Sequence, residues 1–181
     1  MTRSTLFAAS LLLLITPARA EAPAKDDVAT VTACLDLAAQ NAGKGGATRD
    51  ELSEKAGSEG RLAAASAAAG ADKASCIGVL ATTCVQKEGN LSNATLNQCY
   101  GREAQVWDAR LNAAYRAASA KIDRDAAENL RKTQRAWIVW RDASCAQPGV
   151  TFKGTMAGPM REWCVLDLTA RQAIWMQGWG E

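Results

Sequence analysis

Gln134-Arg135-Ala136-Trp137-Ile138-Val139-Trp140-Arg141-Asp142-Ala143-Ser144-Cys145 is the stretch whose reading decides the fold. Gln134, Trp137, Arg141 and Cys145 stand at i, i+3, i+7 and i+11, the spacing that puts side chains along one face of an α-helix. Such a face brings an aromatic ring, a guanidinium and a sulfur into the same interior, so Arg141 needs a carboxylate and Cys145 a second thiol. Glu103 and Asp108 lie on an upstream helical pattern and are the carboxylates at hand. With Gln134 and Arg141 they are expected to form a structural polar cluster that clamps two helices. Cys164 is the expected thiol.

Outward from this stretch the pattern stays helical. One helix is expected from Asp123 through Leu130 and Trp137 to about Cys145. The longest precedes it, over about 94–122, with Cys99, Val106, Leu111, Tyr115, Ala118 and Ile122 as its apolar seam. The connection is short enough to make the two an antiparallel helical hairpin. Further upstream, helices are expected over 26–40 and 71–86, the latter carrying Cys76, Ile77, Leu80 and Cys84, and Ser92 or Asn93 reads as the cap of the long helix. Downstream, 147–159 reads as a Gly- and Pro-containing loop, followed by a helix carrying Trp163, Leu166, Ala173 and Ile174. Residues 43–70 are a low-complexity Ala/Gly/Ser stretch in which only Leu52 and Leu62 can reach a core. No segment alternates Val, Ile and Thr as a half-buried strand would. The fold class is therefore all-α, a disulfide-stapled helical bundle built on a long antiparallel helical hairpin.

The first 20 residues read as a signal peptide: Arg3 supplies the positive start, residues 6–15 an apolar run, and Pro17-Ala18-Arg19-Ala20 a small-residue cleavage site. The apolar run is too short to serve as a membrane anchor, which needs about 20 residues, so no stable anchor is expected after cleavage and the destination is periplasmic or secreted. An exported chain with six cysteines reads as three disulfides. Six cysteines permit 15 pairings; joining Cys84 to Cys99 and Cys145 to Cys164 closes short segments between successive helices and leaves Cys34 with Cys76. Each closure contributes about 3 to 4 kcal/mol by loop-entropy arithmetic.

The order Cys99, Glu103, Trp107-Asp108, Leu111-Asn112, Tyr115, Gln134-Arg135-Ala136-Trp137, Arg141-Asp142-Ala143, Cys145, Gly158, Cys164, Thr169, Arg171 resembles the N-terminal-domain family of the lysozyme inhibitor LprI. One aromatic departs from that pattern, since Trp140 stands where Tyr or Phe is more usual. The region with Cys34, Cys76 and Cys84 looks like the extension of some secreted members. The division expected is a signal peptide over 1–20, an N-terminal helical extension over 21–90 and an LprI-like helical domain over 91–181. The resemblance implies an α-helical, disulfide-bonded envelope protein whose expected activity is lysozyme inhibition by protein–protein binding. The alternatives are an envelope interaction or structural module that inhibits nothing and, more distantly, a cell-wall glycoside hydrolase.

Composition narrows these. The leader carries Arg3 and Arg19 of the 21 basic residues, so the remainder holds 19 of each sign and is formally neutral, with none of the basic excess that nucleic-acid binding shows. The chain has no histidine, so no Ser-His or Cys-His pair is available, and every cysteine is accounted for by a disulfide. With no C-x-x-C pair either, neither a metal site nor a cofactor is expected. Glu103 and Asp108 are poor glycosidase carboxylates, because five residues along one helix turn them about 140° apart around its axis. Trp107, Trp137, Trp140 and Trp163 read as core or core edge; Trp175 and Trp179 near the C-terminus have no such place in the pattern, and a contact surface there is the lesser reading. No catalytic residue is assigned.

A binding role points instead to the segment between Cys145 and Cys164. Phe152 and Lys153 combine an apolar anchor with a cation on a loop whose freedom a disulfide limits, and restrained loops lose less entropy on binding. The expected partner is a lysozyme or another envelope protein. Processing provides the first test: intact-mass analysis of protein exported by its native host should place the N-terminus at Glu21, and retention of Met1 in a membrane fraction would overturn the exported reading.

Overall fold

Five α-helices and one 3₁₀ turn make up the described residues, 22–42 and 72–179 of the computed structural model, with no strand among them. The expected leader and the stretch over 43–70 lie outside the described residues. Helix α1 (Lys25–Ala42) turns Val31, Leu35 and Ala38 inward, and its Cys34 is bonded to Cys76 in the 3₁₀ turn Lys73–Cys76. Helix α2 (Val79–Glu88) follows, then α3 (Asn93–Lys121), α4 (Arg124–Thr151) and α5 (Ala157–Gln177).

The caps follow local chemistry. Ser92 accepts the Thr95 backbone N–H at the start of α3, and Asp123 accepts those of Asp125 and Ala126 at the start of α4. Gly89 closes α2 in the left-handed conformation at φ 67°, which glycine adopts without cost to a Cβ.

Two segments differ from expectation. The helix expected over 71–86 is interrupted at Ile77-Gly78, where Gly78 takes φ 92°. A Cβ there would lie 3.2 Å from two ring carbons of Trp163, so conformation and space both require glycine. The loop expected over 147–159 is mostly helix, leaving only 152–156 between α4 and α5. Pro148 sits in the last turn but one of α4, where the forfeited hydrogen bond lies close to a helix end, and the Phe152 N–H closes the final turn onto the Pro148 carbonyl at 2.9 Å. Pro159 falls in the first turn of α5, where its missing N–H has no helical partner to lose.

The hairpin is present as two helices joined by Ile122 and Asp123, but its arms are not the principal contact. Helix α3 packs most extensively on α5, and α4 touches α5 more than it touches α3. Helices α3 and α5 run parallel: Asn97 meets Gly158 near both N-termini, and Tyr100 meets Trp163 edge-on with ring centroids 5.4 Å apart. Small residues permit the approach, with Ala114 and Ala118 buried on α3 and Ala170 and Ala173 on α5. Trp107, Leu166 and Met176 fill the centre.

Glu103 is fully buried in this core and is not paired with a cation. Its Oε1 accepts the Gly78 N–H at 2.7 Å and the Trp107 indole N–H at 2.9 Å, and its Oε2 accepts the Ala81 N–H at 2.8 Å. Gly78 and Ala81 are the cap and third residue of α2, so α3 supplies through space the cap that glycine cannot provide. Glu103→Ala leaves three buried donors without an acceptor, each worth roughly 1–3 kcal/mol, and should lower stability by about 3–5 kcal/mol in urea denaturation. A loss below about 1 kcal/mol would show that the cap is dispensable.

Candidate functional site

The structure divides the expected polar cluster. Arg141 does not reach Glu103, whose oxygens are taken by the α2 cap and Trp107. Its guanidinium instead bonds the neighbouring Asp142 at 2.7 Å, donates to the Thr169 hydroxyl on α5 at 3.2 Å and lies 5.2 Å from the centroid of the Trp137 ring. Asp108 accepts from Asn112 one turn on, and Gln134 accepts from Gln172 of α5 at 3.2 Å. The reason for the split is rotational. Glu103 faces the α2 side of α3, whereas Asp108, turned well away around the same helix, is exposed toward α4. The six cysteines pair as Cys34–Cys76, Cys84–Cys99 and Cys145–Cys164, and none is free.

Around the Gly78 break the chain forms an apolar groove of about 690 Å³. Ile77 and Val79 supply one wall, Leu96 and Tyr100 of α3 the floor, and Met156, Met160 and Trp163 the opposite wall. Glu103 positions the first wall by capping α2, and the Tyr100–Trp163 edge contact fixes the second. Met156, Met160 and Trp163 remain more than a third exposed, so an apolar surface stands open to solvent. Thioether side chains adapt to irregular partners, and aromatic rings supply contact area at low entropic cost. The groove is built for apolar contact and holds no set of groups for bond-breaking chemistry.

Phe152 and Lys153 are both exposed on the short α4–α5 connection, which ends at Met156 on the groove rim. The Cys145–Cys164 disulfide does not sit at the base of this connection: Cys145 is buried in α4 well before its end and Cys164 lies on α5. It therefore clamps two helices, and the connection projects beyond the clamp. Trp140, expected near the core, is 55% exposed, while Trp175 and Trp179 form an exposed pair with ring centroids 4.9 Å apart.

Helix α1 is pinned to α3 by a second set of polar contacts. Arg102 grips the buried Asp27 with two nitrogens, Nε at 3.0 Å, and this hydrogen bonding raises the guanidinium pKa. Arg110 donates to the Thr32 hydroxyl at 2.6 Å, and burial lowers its pKa against the opposing pull of Asp36. Sequence reading missed both, because α1 and α3 are separated by the low-complexity stretch and nothing in their spacing couples them.

Comparison with known proteins adds a family to this geometry. The model of the family described as lysozyme inhibitor LprI matches residues 84–175, which span the Cys84–Cys99 and Cys145–Cys164 disulfides, helices α3 and α4 and all but the last two residues of α5. The chain is also 34% identical over 96 residues to an uncharacterised protein of Rhizobium meliloti (strain 1021), an alignment covering 45% of this chain and 69% of that protein. No solved structure matches the chain.

The partners of Arg141 set the size of its role. Asp142 is 58% exposed, so the pair is screened by solvent, and what remains is packing on Trp137 and the Thr169 bond. Arg141→Ala should therefore destabilise by about 1 kcal/mol in urea denaturation. A loss above about 3 kcal/mol would restore the buried ion-pair reading.

Proposed function

The chain belongs to the lysozyme inhibitor LprI family, and we propose that it inhibits a lysozyme by protein–protein binding, through the apolar groove and the adjoining α4–α5 connection. One observation carries this reading: the exposed apolar residues Met156, Met160 and Trp163 line the groove and exposed Phe152 stands four residues before Met156 on the connection, all within the part of the chain that matches the family. Interfaces draw most of their energy from a few desolvated side chains, and aromatic and Met residues are enriched among them. Lys153 gives this surface a cation beside an apolar anchor, suited to the pair of carboxylates that glycoside hydrolases carry in their clefts. Covering that cleft would block substrate without any chemistry on the inhibitor's side.

The compartment follows from the same reading. Three disulfides persist where the environment is oxidising, and among the described residues no helix is long and apolar enough to cross a membrane. An extracytoplasmic site of action fits both. Part of the groove wall, from Ser75 to Thr83, precedes the matched region, so target preference would depend on the extension that this chain carries.

The oxidised protein should slow lysis of bacterial cells by at least one of the chicken-type, goose-type and invertebrate-type lysozymes. Phe152→Ala with Lys153→Ala, and separately Met156→Asp with Met160→Asp, should each weaken inhibition by roughly tenfold or more while the melting temperature stays nearly unchanged. Full inhibition by both double variants would remove this surface from the interface. Absence of inhibition at micromolar wild-type protein across the three classes would sink the inhibitor reading.

A further inference from the structure

A second set of cavities lies along α3 on the side of α4, and it differs from the first groove in the arginines of its lining. Cavities of about 490, 220 and 460 Å³ follow one another along α3, the first bounded also by Ala22 and Pro23 and by Val165 and Thr169 of α5, the other two by α4. The first two share Asp108, Asn112 and Arg141, the second and third share Tyr115 and Arg131, and Arg116 lines the first and the third, so the three adjoin one another as a trough along α3. The second and third lie where α4 leans on α5 rather than on α3, leaving the hairpin arms apart.

Guanidinium groups dominate its lining. Arg116, Arg124, Arg131, Arg135 and Arg141 face it against two carboxylates, those of Asp108 and Glu128. General basicity does not account for this concentration, since the chain without its leader is formally neutral. Nor are all five used by the fold. Arg124, Arg131 and Arg141 pair with Asp125, Glu128 and Asp142, whereas Arg116 and Arg135 are exposed and have no side-chain partner among the described residues. Forked planar donors held along a trough match carboxylates arrayed on a ligand.

The remaining lining narrows the ligand. A trough receives an extended chain. Asp108 and Gln134 each already accept one bond, from Asn112 and Gln172, and their remaining lone pairs, with the Asn112 amide, can take hydroxyl and amide donors that a bare polyanion lacks. A chain with hydroxyl and amide groups as well as carboxylates would satisfy them. Tyr115 on the α3 wall and Trp137 on the α4 wall, both part-buried, offer aromatic surface for the apolar faces of sugar rings. We propose that the α3–α4 trough binds a carboxylate-bearing glycan strand. The site shares no residue with the apolar groove, so occupation of one leaves the other free.

The test is equilibrium binding of the mature, oxidised protein to soluble peptidoglycan strands that retain their stem peptides, with chitohexaose as a neutral sugar and poly-L-glutamate as a sugar-free polyanion. The peptidoglycan strand should bind, weaken as salt rises, and weaken by roughly tenfold or more in Arg116→Gln with Arg135→Gln, whose circular dichroism and melting temperature should match wild type. Chitohexaose and poly-L-glutamate should each bind far more weakly than the strand. Equal binding of chitohexaose would remove the role of the arginines. Equal binding of poly-L-glutamate would make the trough a site for acidic peptide, and wild-type affinity in the double variant, or no strand binding at all, would overturn the proposal.

Discussion

Gly78 has no side chain with which to close the first turn of α2, and the carboxylate of Glu103 reaches across from α3 to do it. Charge is tolerated in this dry interior because it is spread over three N–H donors, two of them at a helix N-terminus where the backbone dipoles favour an anion. The arrangement is demanding. Only glycine can hold the left-handed turn beneath the Trp163 ring, and only a carboxylate of this reach can serve both the cap and the Trp107 indole. Once α2 is fixed, Ile77 and Val79 are fixed with it, and so is one wall of the apolar groove.

The rest of the bundle divides by side-chain size. Alanines on α3 and α5 let those helices lie close and parallel, while the side of α4 toward α3 carries Arg131 and Arg135, which stay exposed, and its Gln134 and Arg141 bond to α5. Helix α4 is therefore held at its far end by the Cys145–Cys164 bond and by polar contacts to α5, with Leu130 and Cys145 its buried residues. The bundle thus presents an apolar groove where α2, α3 and the start of α5 meet, and an arginine-lined trough along α3.

Much of this was legible in the residues. Helical spacing around Trp137 and along Cys99 to Ala118, a cap at Ser92 or Asn93, a helix start at Asp123, and consecutive cysteines near helix ends led to an all-α bundle and to the cysteine pairs that the structure contains. What failed did so for physical reasons. Arg141 and Glu103 were matched by charge, but a buried carboxylate can be satisfied by backbone donors, which leave no trace in side-chain patterns. Gly78 looked like one small residue within a helix until its neighbour in space, Trp163, was known. Pro148 looked like a stop, yet near a helix end it removes one bond and the turn still closes. The apolar groove draws its walls from segments far apart in sequence, so no local motif announced it.

The three disulfides also have an order. Each joins one cysteine to the next along the chain, Cys34 to Cys76, Cys84 to Cys99 and Cys145 to Cys164, so no bridge encloses or crosses another. A chain that enters an oxidising space amino end first can therefore close each bridge before the next pair arrives. Thiols oxidised in order of appearance give the native pairing directly, and assembly needs no reshuffling of bonds already made. Connectivity of this kind makes covalent maturation a matter of sequence in time, and folding of α3 to α5 can proceed on an amino-terminal part already closed behind it.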